Sequence, residues 1–334
     1  MRHHATGIAI RRDVTVEAIM RDLLANPPST WRAPSTFQVN RDLAEGITGK
    51  LGKTRLVNLT PSAVERYFGE MAREGLATST IGSAKGLLVR AIRRAQRDGL
   101  VGRNVAELAD TPVGTRTDSK SMTVDQLSCL FASDLTVWWR AFLMVGIGCG
   151  LRPGELLALT WDDLDFDAGE IRVRNSLKAE EVTGQATKTV MTRGDLKTPR
   201  ARRTLPLPAK AAEALRAQKA SQAADKLRRG RYYEDAGLVF SNNAGQPKRG
   251  STVNKRFKVI CDQAGIDSDW HLHEQRHTFV SLLSDAGIDI DKIADAAGHI
   301  NANVTRTVYR HQLADKISEA GVAMNDIFGR VTGS

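Results

Sequence analysis

The segment from Asp110 to Met122 divides this chain into two parts, each of which is expected to form its own hydrophobic core. It holds Pro112, Gly114 and a string of Thr, Ser and Asp residues, and it has no apolar periodicity. The chain has 334 residues, which is too long for one ordinary core and sufficient for two. The sequence therefore predicts a helical domain over residues 1–110, a linker over 111–122 and a second domain over 123–334.

The part before this boundary is predicted to be helical. Thr60-Pro61 opens one helix, with Ser62 and Glu65 spaced as a capping box. Two earlier helices are expected at Val14–Ala25 and Phe37–Ala44, the second of them ending in a glycine-rich turn around Gly46–Gly52. Because only a short segment precedes the first of these helices, no separate domain is expected before it.

The fourth helix of this part carries an apolar stripe and a basic face. The stripe consists of residues at helical spacing, namely Ile81, Ala84, Leu88, Ala91 and Ala95. A second face gathers Arg90, Arg93, Arg94 and Arg97, with no acidic residue among them before Asp98. A charged helical face is often simply solvated. The absence of interspersed acids favours a helix that faces phosphate groups.

The composition points to a polyanionic partner. The formal net charge is +10, and each phosphate that a basic protein neutralises releases a condensed counterion. A basic protein with no such partner is the alternative. Cys129, Cys149 and Cys261 form no CxxC pair, so neither a disulfide framework nor a zinc knuckle is indicated. No apolar stretch reaches membrane-spanning length. We expect a cytoplasmic protein without a bound metal or cofactor.

The second part is predicted to be mainly helical with a small antiparallel sheet. Val137–Gly150 is apolar and should form a buried helix. A hairpin is expected at Leu164–Val173, Lys178–Asp195 reads as a polar loop, and Arg203–Leu207 reads as a strand. Further helices are expected at Ala209–Arg228, Ser251–Ala264, Thr278–Ala286, Ile290–Ala297 and Ala302–His311.

Two cationic residues stand where a polar group could serve chemistry. Arg152 follows the buried helix, and Glu155 lies one turn later, where it could orient the guanidinium. A purely structural Arg–Glu pair is the alternative. Lys197 lies at the mouth of a hairpin and could reach over a bound ligand, although such a lysine is usually solvated. Lys178 and Lys188 lie in the same region and remain alternatives.

The histidine-rich segment His273-Glu274-Gln275-Arg276-His277 has two interpretations. It matches HExxH, which on a helix places two imidazoles on one face for zinc. In the other interpretation His273 and Arg276, one turn apart, bind an anion. A guanidinium cannot lose its proton and would repel a metal ion held by its neighbours. The second interpretation therefore suits the segment better.

The last candidate group is Gly298-His299 with Tyr309 ten residues after His299. Nearby positive charge lowers the pKa of a tyrosine and eases its ionisation. The alternative is a half-buried aromatic side chain whose hydroxyl is hydrogen-bonded.

The order and spacing of these groups resemble the tyrosine recombinase, or phage integrase, family. The family's pattern is an arginine after a buried helix, a hairpin lysine, HxxRH, Gly-His and then a tyrosine. Here these positions are occupied by Arg152, Lys197, His273, Arg276, His299 and Tyr309. The chain departs from the pattern at Glu274, Gln275 and Ala297, where Asp, Leu and Leu are more frequent, and these changes concern packing.

The resemblance implies a two-domain architecture, with a helical core-binding domain and an α+β catalytic domain. It implies a site-specific recombinase in which Tyr309 attacks DNA to form a 3′-phosphotyrosyl intermediate, Lys197 is the general acid, and the arginines and histidines bind the phosphate. It also implies double-stranded recombination sites as substrate, a homotetramer on DNA and accessory or directionality factors. The amphipathic tail Leu313–Phe328 would dock on a neighbouring protomer or on its own domain. The remaining alternatives are a catalytically silent DNA-binding protein of this fold and a zinc peptidase.

Overall fold

The chain divides into two units, Met1–Asp118 and Ser119–Ser334, and the division falls inside the segment expected to be a linker. The computed structural model describes residues 13–31, 34–114, 120–181, 189–196, 202–267 and 269–298. Lys188, Lys197, His299, Tyr309, the helix expected at Ala302–His311 and the tail Leu313–Phe328 lie outside the described residues.

The first unit is helical throughout its regular structure, as far as it is described. Its helices are α1 (Val16–Ala25), α2 (Pro34–Leu51), α3 (Pro61–Arg73), α4 (Thr78–Arg97) and α5 (Val105–Leu108), with a 3-10 turn at Leu56–Asn58. The apolar stripe predicted on α4 is buried against the other helices, because a helix with one apolar face gains most of its stability from covering that face.

Two local predictions in this unit were wrong. Helix α2 does not stop before Gly46 but continues to Leu51. Ala44 and Ile47 are buried on the same side of α2, and their packing outweighs the poor helix propensity of Gly46 and Gly49. Helix α3 is capped by Thr60, whose hydroxyl accepts from the Ala63 backbone NH, and not by Ser62.

The second unit combines helices with two small antiparallel sheets. Its helices are α6 (Val124–Ala132), α7 (Val137–Gly148), α8 (Pro153–Leu157), α9 (Ala209–Arg229), α10 (Gly250–Gln263), α11 (Glu274–Asp285) and α12 (Ile290–Ala297), with a 3-10 turn at Trp161–Asp163. Its strands are β1 (Leu164–Asp165), β2 (Glu170–Val173), β3 (Asn175–Glu181), β4 (Thr189–Asp195) and β5 (Arg203–Pro206). The predicted fold class, mainly α with a small antiparallel sheet, is confirmed.

Helix α7 is the centre of the second core. Ala141, Phe142, Leu143 and Val145 are completely buried, whereas Val137 is exposed and Arg140 is half-buried. A helix with so broad an apolar surface is stable only when most of that surface is covered. Helices α9 and α11 pack on α7. The residues that follow the carboxyl end of α7 therefore have a fixed position in the unit.

The sheets complete the surroundings of that end. Strand β2 lies between β1 and β5, with Ile171 opposite both Leu164 and Leu205. Strands β3 and β4 pair from Asn175 with Asp195 onward, so the prediction of a polar loop over Lys178–Asp195 was wrong. The pairing is made by backbone hydrogen bonds between distant residues, which polar side chains do not reveal.

The hairpin of β3 and β4 is attached to α8. A side chain at Gly154 would place its β-carbon 2.7 Å from the Ser176 hydroxyl and 3.1 Å from the Leu177 carbonyl oxygen. From β4, Arg193 donates to the Ala158 carbonyl oxygen at 3.1 Å and contacts the buried Asp163 at 3.2 Å. The hairpin is thereby fixed to the helix that begins just after Arg152.

We predict that Gly49→Ala stabilises the first unit. A β-carbon at this exposed position in α2 would meet nothing within 4 Å. Alanine loses less backbone entropy in a helix, so the free energy of unfolding should rise by about 0.5 to 1 kcal/mol. Urea denaturation of the full chain, followed by far-ultraviolet circular dichroism, measures the change.

Gly46→Ala is the matched control for this prediction. Its β-carbon would lie only 3.3 Å from the Tyr67 hydroxyl, so the gain there should be smaller. A drop in the midpoint for Gly49→Ala would contradict the account of α2.

Candidate active site in the second unit

Arg152 lies at the start of α8, where the backbone leaves the buried helix α7. Glu155 accepts two hydrogen bonds from it, one from the Arg152 backbone NH at 3.0 Å and one from Nη1 at 2.7 Å. The Glu155 carboxylate is 1% exposed, whereas 34% of the Arg152 side chain remains accessible. Glu155 therefore orients the guanidinium, as the spacing predicted, and leaves part of it available to a ligand.

A second guanidinium, that of Arg203 in β5, reaches the same carboxylate. Its Nη2 donates to Glu155 Oε2 at 3.0 Å, and its side chain is 7% exposed. Burial is the largest single influence on the pKa of Glu155 and raises it. The charges and hydrogen bonds of Arg203 and Arg152 together outweigh that effect and hold the pKa below its usual value. The sequence analysis did not identify Arg203 as part of the site.

Arg276 comes to the same turn from α11. It is 2% exposed, and its Nη1 donates to the Gly150 carbonyl oxygen at 3.0 Å. Gly150 has φ +61°, and a β-carbon there would lie 2.3 Å from Cδ1 of Phe279. The turn thus needs glycine both for its backbone conformation and for the packing of α11. The residue two positions after Gly150 is Arg152.

His273 faces the two guanidiniums and is exposed to solvent as a residue. Partial desolvation of its imidazole, followed by the positive charges of Arg276 and Arg152, lowers its pKa, while Glu155 opposes the shift. Arg276 lies one helical turn after His273 in α11, and its charge and that of Arg152 both act on the imidazole. A lowered pKa keeps this imidazole neutral at pH 7.

The HExxH interpretation finds no support in the contacts of its residues. His277 lies one turn after His273, and burial, His273 and Arg276 lower its pKa to about 4. The Glu274 carboxylate accepts from the His271 backbone NH at 2.6 Å and so serves the start of α11. Within the part of the chain that the structure describes, no three His, Cys, Asp or Glu side chains are grouped to hold a metal ion.

Gln275, where the family more often has Leu, faces away from these groups. It is 3% exposed and packs against Gly146 of α7, where an added β-carbon would lie 2.1 Å from its Oε1. Its Nε2 has no hydrogen-bond partner among the described residues. This substitution therefore affects the packing of α11 on α7, as expected, and not the reacting groups.

The end of α12 is bound to the same cluster. Gly298 closes the helix with φ +63°, and its carbonyl oxygen accepts from Arg152 Nη2 at 2.9 Å. Arg203 Nε donates to the Ala296 carbonyl oxygen at 2.8 Å. His299, which directly follows Gly298, lies outside the described residues, as do Lys197 and Tyr309. The alternative lysine Lys178 lies in β3, opposite Thr192 of β4.

The arginines of α4, in the first unit, have different surroundings from one another. Arg93 contacts Glu107 at 2.6 Å, and Arg94 contacts Asp22 at 2.9 Å. Arg90 lies over the ring of Trp31 at 5.6 Å, and Arg97 is exposed. The acidic partners of Arg93 and Arg94 come from distant parts of the unit and could not be seen in the local sequence.

The chain is similar over most of its length to known integrases and recombinases. The model of the phage integrase family matches residues 120–316. An integrase of Streptomyces ambofaciens is 32% identical to the chain, over 99% of this chain and 85% of that protein. A XerC-like tyrosine recombinase of Caldanaerobacter subterraneus subsp. tengcongensis is 25% identical, over 95% of this chain and 84% of that protein.

Solved structures show the same fold. The integrase of the transposon Tn1549, in complex with transposon right end DNA, has a TM-score of 0.77 at 20% identity, over 92% of this chain and 99% of that one. A lambda integrase tetramer bound to a Holliday junction has a TM-score of 0.64 at 17% identity, over 90% of this chain and 82% of that one.

The chain belongs to the phage integrase family. It is a site-specific recombinase of the tyrosine type, an enzyme that breaks and rejoins DNA strands. The resemblance drawn from the sequence is thereby confirmed. The helices of the described ranges include none with the length and apolarity needed to cross a membrane.

We predict that Gly150→Ala destabilises the second unit far more than Gly169→Ala. Both glycines have a positive φ, which costs an alanine about 1 to 2 kcal/mol. Only at Gly150 does the new methyl group meet a neighbour, the Phe279 ring, which should cost about 1 to 3 kcal/mol more. Thermal unfolding of both variants measures the difference. Equal losses would show that the turn and α11 are not tightly packed.

Proposed function

We propose that this recombinase cleaves and rejoins DNA at one phosphate-binding site formed by Arg152, His273 and Arg276, with His299, Lys197 and Tyr309 completing it. One observation carries the proposal. Arg152 and Arg276, 124 positions apart in the sequence, are fixed to the same short turn: Arg276 binds the Gly150 carbonyl oxygen, and Arg152 begins the next helix.

The electrostatics of the cluster suit a phosphodiester. Attack on phosphorus builds negative charge on the non-bridging oxygens, and preorganised donors at those oxygens are worth about 2.7 to 4 kcal/mol each. Arginine side chains offer two parallel N–H donors that match phosphate oxygens. Two guanidiniums held by buried contacts need little rearrangement as this charge develops. The neutral imidazole of His273 can donate a hydrogen bond or accept a proton.

In the proposed reaction Tyr309 is the nucleophile. Its phenolate oxygen forms a bond to phosphorus while the bond to the 5′ oxygen breaks, which leaves a 3′-phosphotyrosyl link. Lys197 donates a proton to the departing 5′ oxygen as general acid. The 5′ hydroxyl of a partner strand then attacks the link, returns the tyrosine and joins new ends. The number of phosphodiester bonds is conserved.

The substrate and the assembly are inferred from the relatives. The Tn1549 integrase is bound to transposon right end DNA, and the lambda integrase forms a tetramer on a Holliday junction. We propose that this chain likewise acts as a homotetramer on double-stranded recombination sites of a phage or mobile element, with accessory or directionality factors, in the cytoplasm of a bacterial cell.

The domain roles belong to the same proposal. Residues 1–110 would form the core-binding domain, 111–122 the linker, and 123–334 the catalytic domain with its tail. Of the four arginines on α4, Arg90 and Arg97 are the better candidates for phosphate contacts. Arg93 and Arg94 already have acidic partners, and a new contact would have to compete with those ion pairs.

We predict a covalent protein–DNA adduct that requires Tyr309. The full chain is incubated with a library of nicked duplexes, whose cleavage releases a short fragment and traps the link. After denaturation, the DNA that remains bound to protein is recovered and sequenced. Tyr309→Phe should abolish the adduct, because it removes the nucleophilic oxygen. The exposed Tyr232 offers a matched control, and Tyr232→Phe should leave adduct formation intact.

The same assay separates the alternatives. An adduct that persists in Tyr309→Phe would refute the nucleophile. The absence of any adduct with the unmodified chain would favour a silent DNA-binding protein. Inhibition by EDTA together with stoichiometric zinc by elemental analysis would favour the peptidase.

A further inference from the structure

Arg203 contacts both of the groups that orient the Arg152 side chain. The first is Glu155, whose Oε2 accepts from Arg203 Nη2 at 3.0 Å and whose Oε1 accepts from Arg152 Nη1 at 2.7 Å. The second is the end of α12, where Arg203 binds the Ala296 carbonyl oxygen and Arg152 binds the Gly298 carbonyl oxygen. One side chain from β5 thus connects both supports of Arg152.

The contact with Gly298 is close. A β-carbon on Gly298 would lie 3.1 Å from Arg203 Nη1 and 3.3 Å from its Cζ, so the guanidinium lies against the backbone of this residue. Gly298 also has φ +63°, a conformation that glycine adopts without strain. Arg203 therefore packs directly against the glycine that ends α12.

We propose that Arg203 is a positioning residue for strand cleavage: it holds Glu155 and the end of α12 so that the Arg152 guanidinium meets the reacting phosphate. This inference rests on the function proposed above. With only 7% of its side chain exposed, Arg203 has little surface with which to bind DNA directly. Its effect on cleavage passes through Arg152.

A purely structural role would give a different result. A buried group of two arginines and one glutamate can often be replaced by apolar residues without loss of folding stability. A contribution to folding stability therefore does not explain why these three charged residues are present. The two guanidiniums differ in a way that matters here. Arg152 keeps a third of its side chain accessible, whereas Arg203 and Glu155 are both buried. Two of the three members thus serve to orient the exposed third one.

The charges around Glu155 make this role visible in a pH profile. Arg152 faces the carboxylate from its own helix, Arg203 from β5 and His273 from α11. The nearby Cys149 thiol has a pKa of about 12 and stays neutral. Burial favours the protonated form of Glu155, and the charge of Arg203 is the largest influence that opposes it. Without Arg203 the pKa of Glu155 should rise, and a protonated Glu155 accepts fewer hydrogen bonds from Arg152.

The test compares Arg203→Gln and Arg203→Lys with the unmodified chain. Adduct formation with the nicked duplex recovered above is measured at saturating DNA, and DNA affinity is measured separately. Arg203→Gln should slow adduct formation about tenfold or more with little change in affinity. Its rate should rise with pH as Glu155 ionises, with a midpoint above that of the unmodified chain. Arg203→Lys keeps the positive charge but loses the several N–H donors of the guanidinium. This variant should therefore show an intermediate rate and the pH profile of the unmodified chain.

Two further variants complete the design. Arg172→Gln removes a more exposed arginine from the neighbouring strand β2. Arg172 forms an ion pair with Asp165 in which 42% of the arginine side chain and 34% of the aspartate side chain are exposed. Because so exposed a pair contributes little, this variant should leave the rate and the pH profile of adduct formation unchanged. In Glu155→Gln, the added change Arg203→Gln should slow the rate less than it does in the unmodified chain, because the support through Glu155 is already lost and only that through the end of α12 remains.

The outcomes are distinct from those that test the function itself. If the unmodified chain forms no adduct, the proposed function fails. If it forms the adduct and Arg203→Gln matches it in rate and pH profile, the positioning role is wrong. Should Arg203→Gln not fold, Arg203→Lys decides the question, and an unmodified rate in that variant overturns the inference.

Discussion

The buried carboxylate of Glu155 lies between two guanidiniums, and the geometry of the site depends on this interaction. A carboxylate that is almost fully buried can remain ionised only if opposite charge and hydrogen bonds replace the lost water. Arg152 and Arg203 supply both, and each also binds a carbonyl oxygen at the end of α12. Helix α8, strand β5 and helix α12, which belong to separate stretches of the chain, are thereby fixed to one another.

The charges in the site give the arginines and the histidines different chemical roles. Arg152 and Arg276 stay protonated at any ordinary pH, so they can stabilise a phosphate but cannot exchange protons with it. Partial burial lowers the pKa of His273 and of His277; the charge of Arg276 adds to the effect at both histidines and that of Arg152 at His273, so both imidazoles stay neutral at pH 7. A neutral imidazole next to fixed cations can donate or accept a hydrogen bond without adding charge. Permanent cations and neutral proton carriers together suit phosphoryl transfer, in which charge and protons move at the same time.

The 48 Lys and Arg residues are not all equally available to DNA. Arg93 and Arg94 form ion pairs within the first unit, and in the second unit Arg174 and Arg193 share the buried Asp163. Such pairs hold the fold together locally, and because each combines one charge of either sign they leave the surplus of +10 unchanged. The surplus of Lys and Arg indicates a polyanionic partner, but the residues that contact it have to be chosen from the surroundings of each side chain in the fold.

The sequence by itself determined those features of the fold and the site that depend on residues close together in the chain. The apolar run of α7 is a local pattern, and Arg152 and Glu155 are one helical turn apart, so both were predicted correctly. The order of the reactive groups along the chain was enough to identify the family. The tertiary structure alone decided that Arg203, 48 positions after Glu155, completes the carboxylate's contacts, that β3 and β4 pair, and that α2 continues through Gly46. These features depend on contacts between residues far apart in the chain, and local propensity carries no information about such contacts.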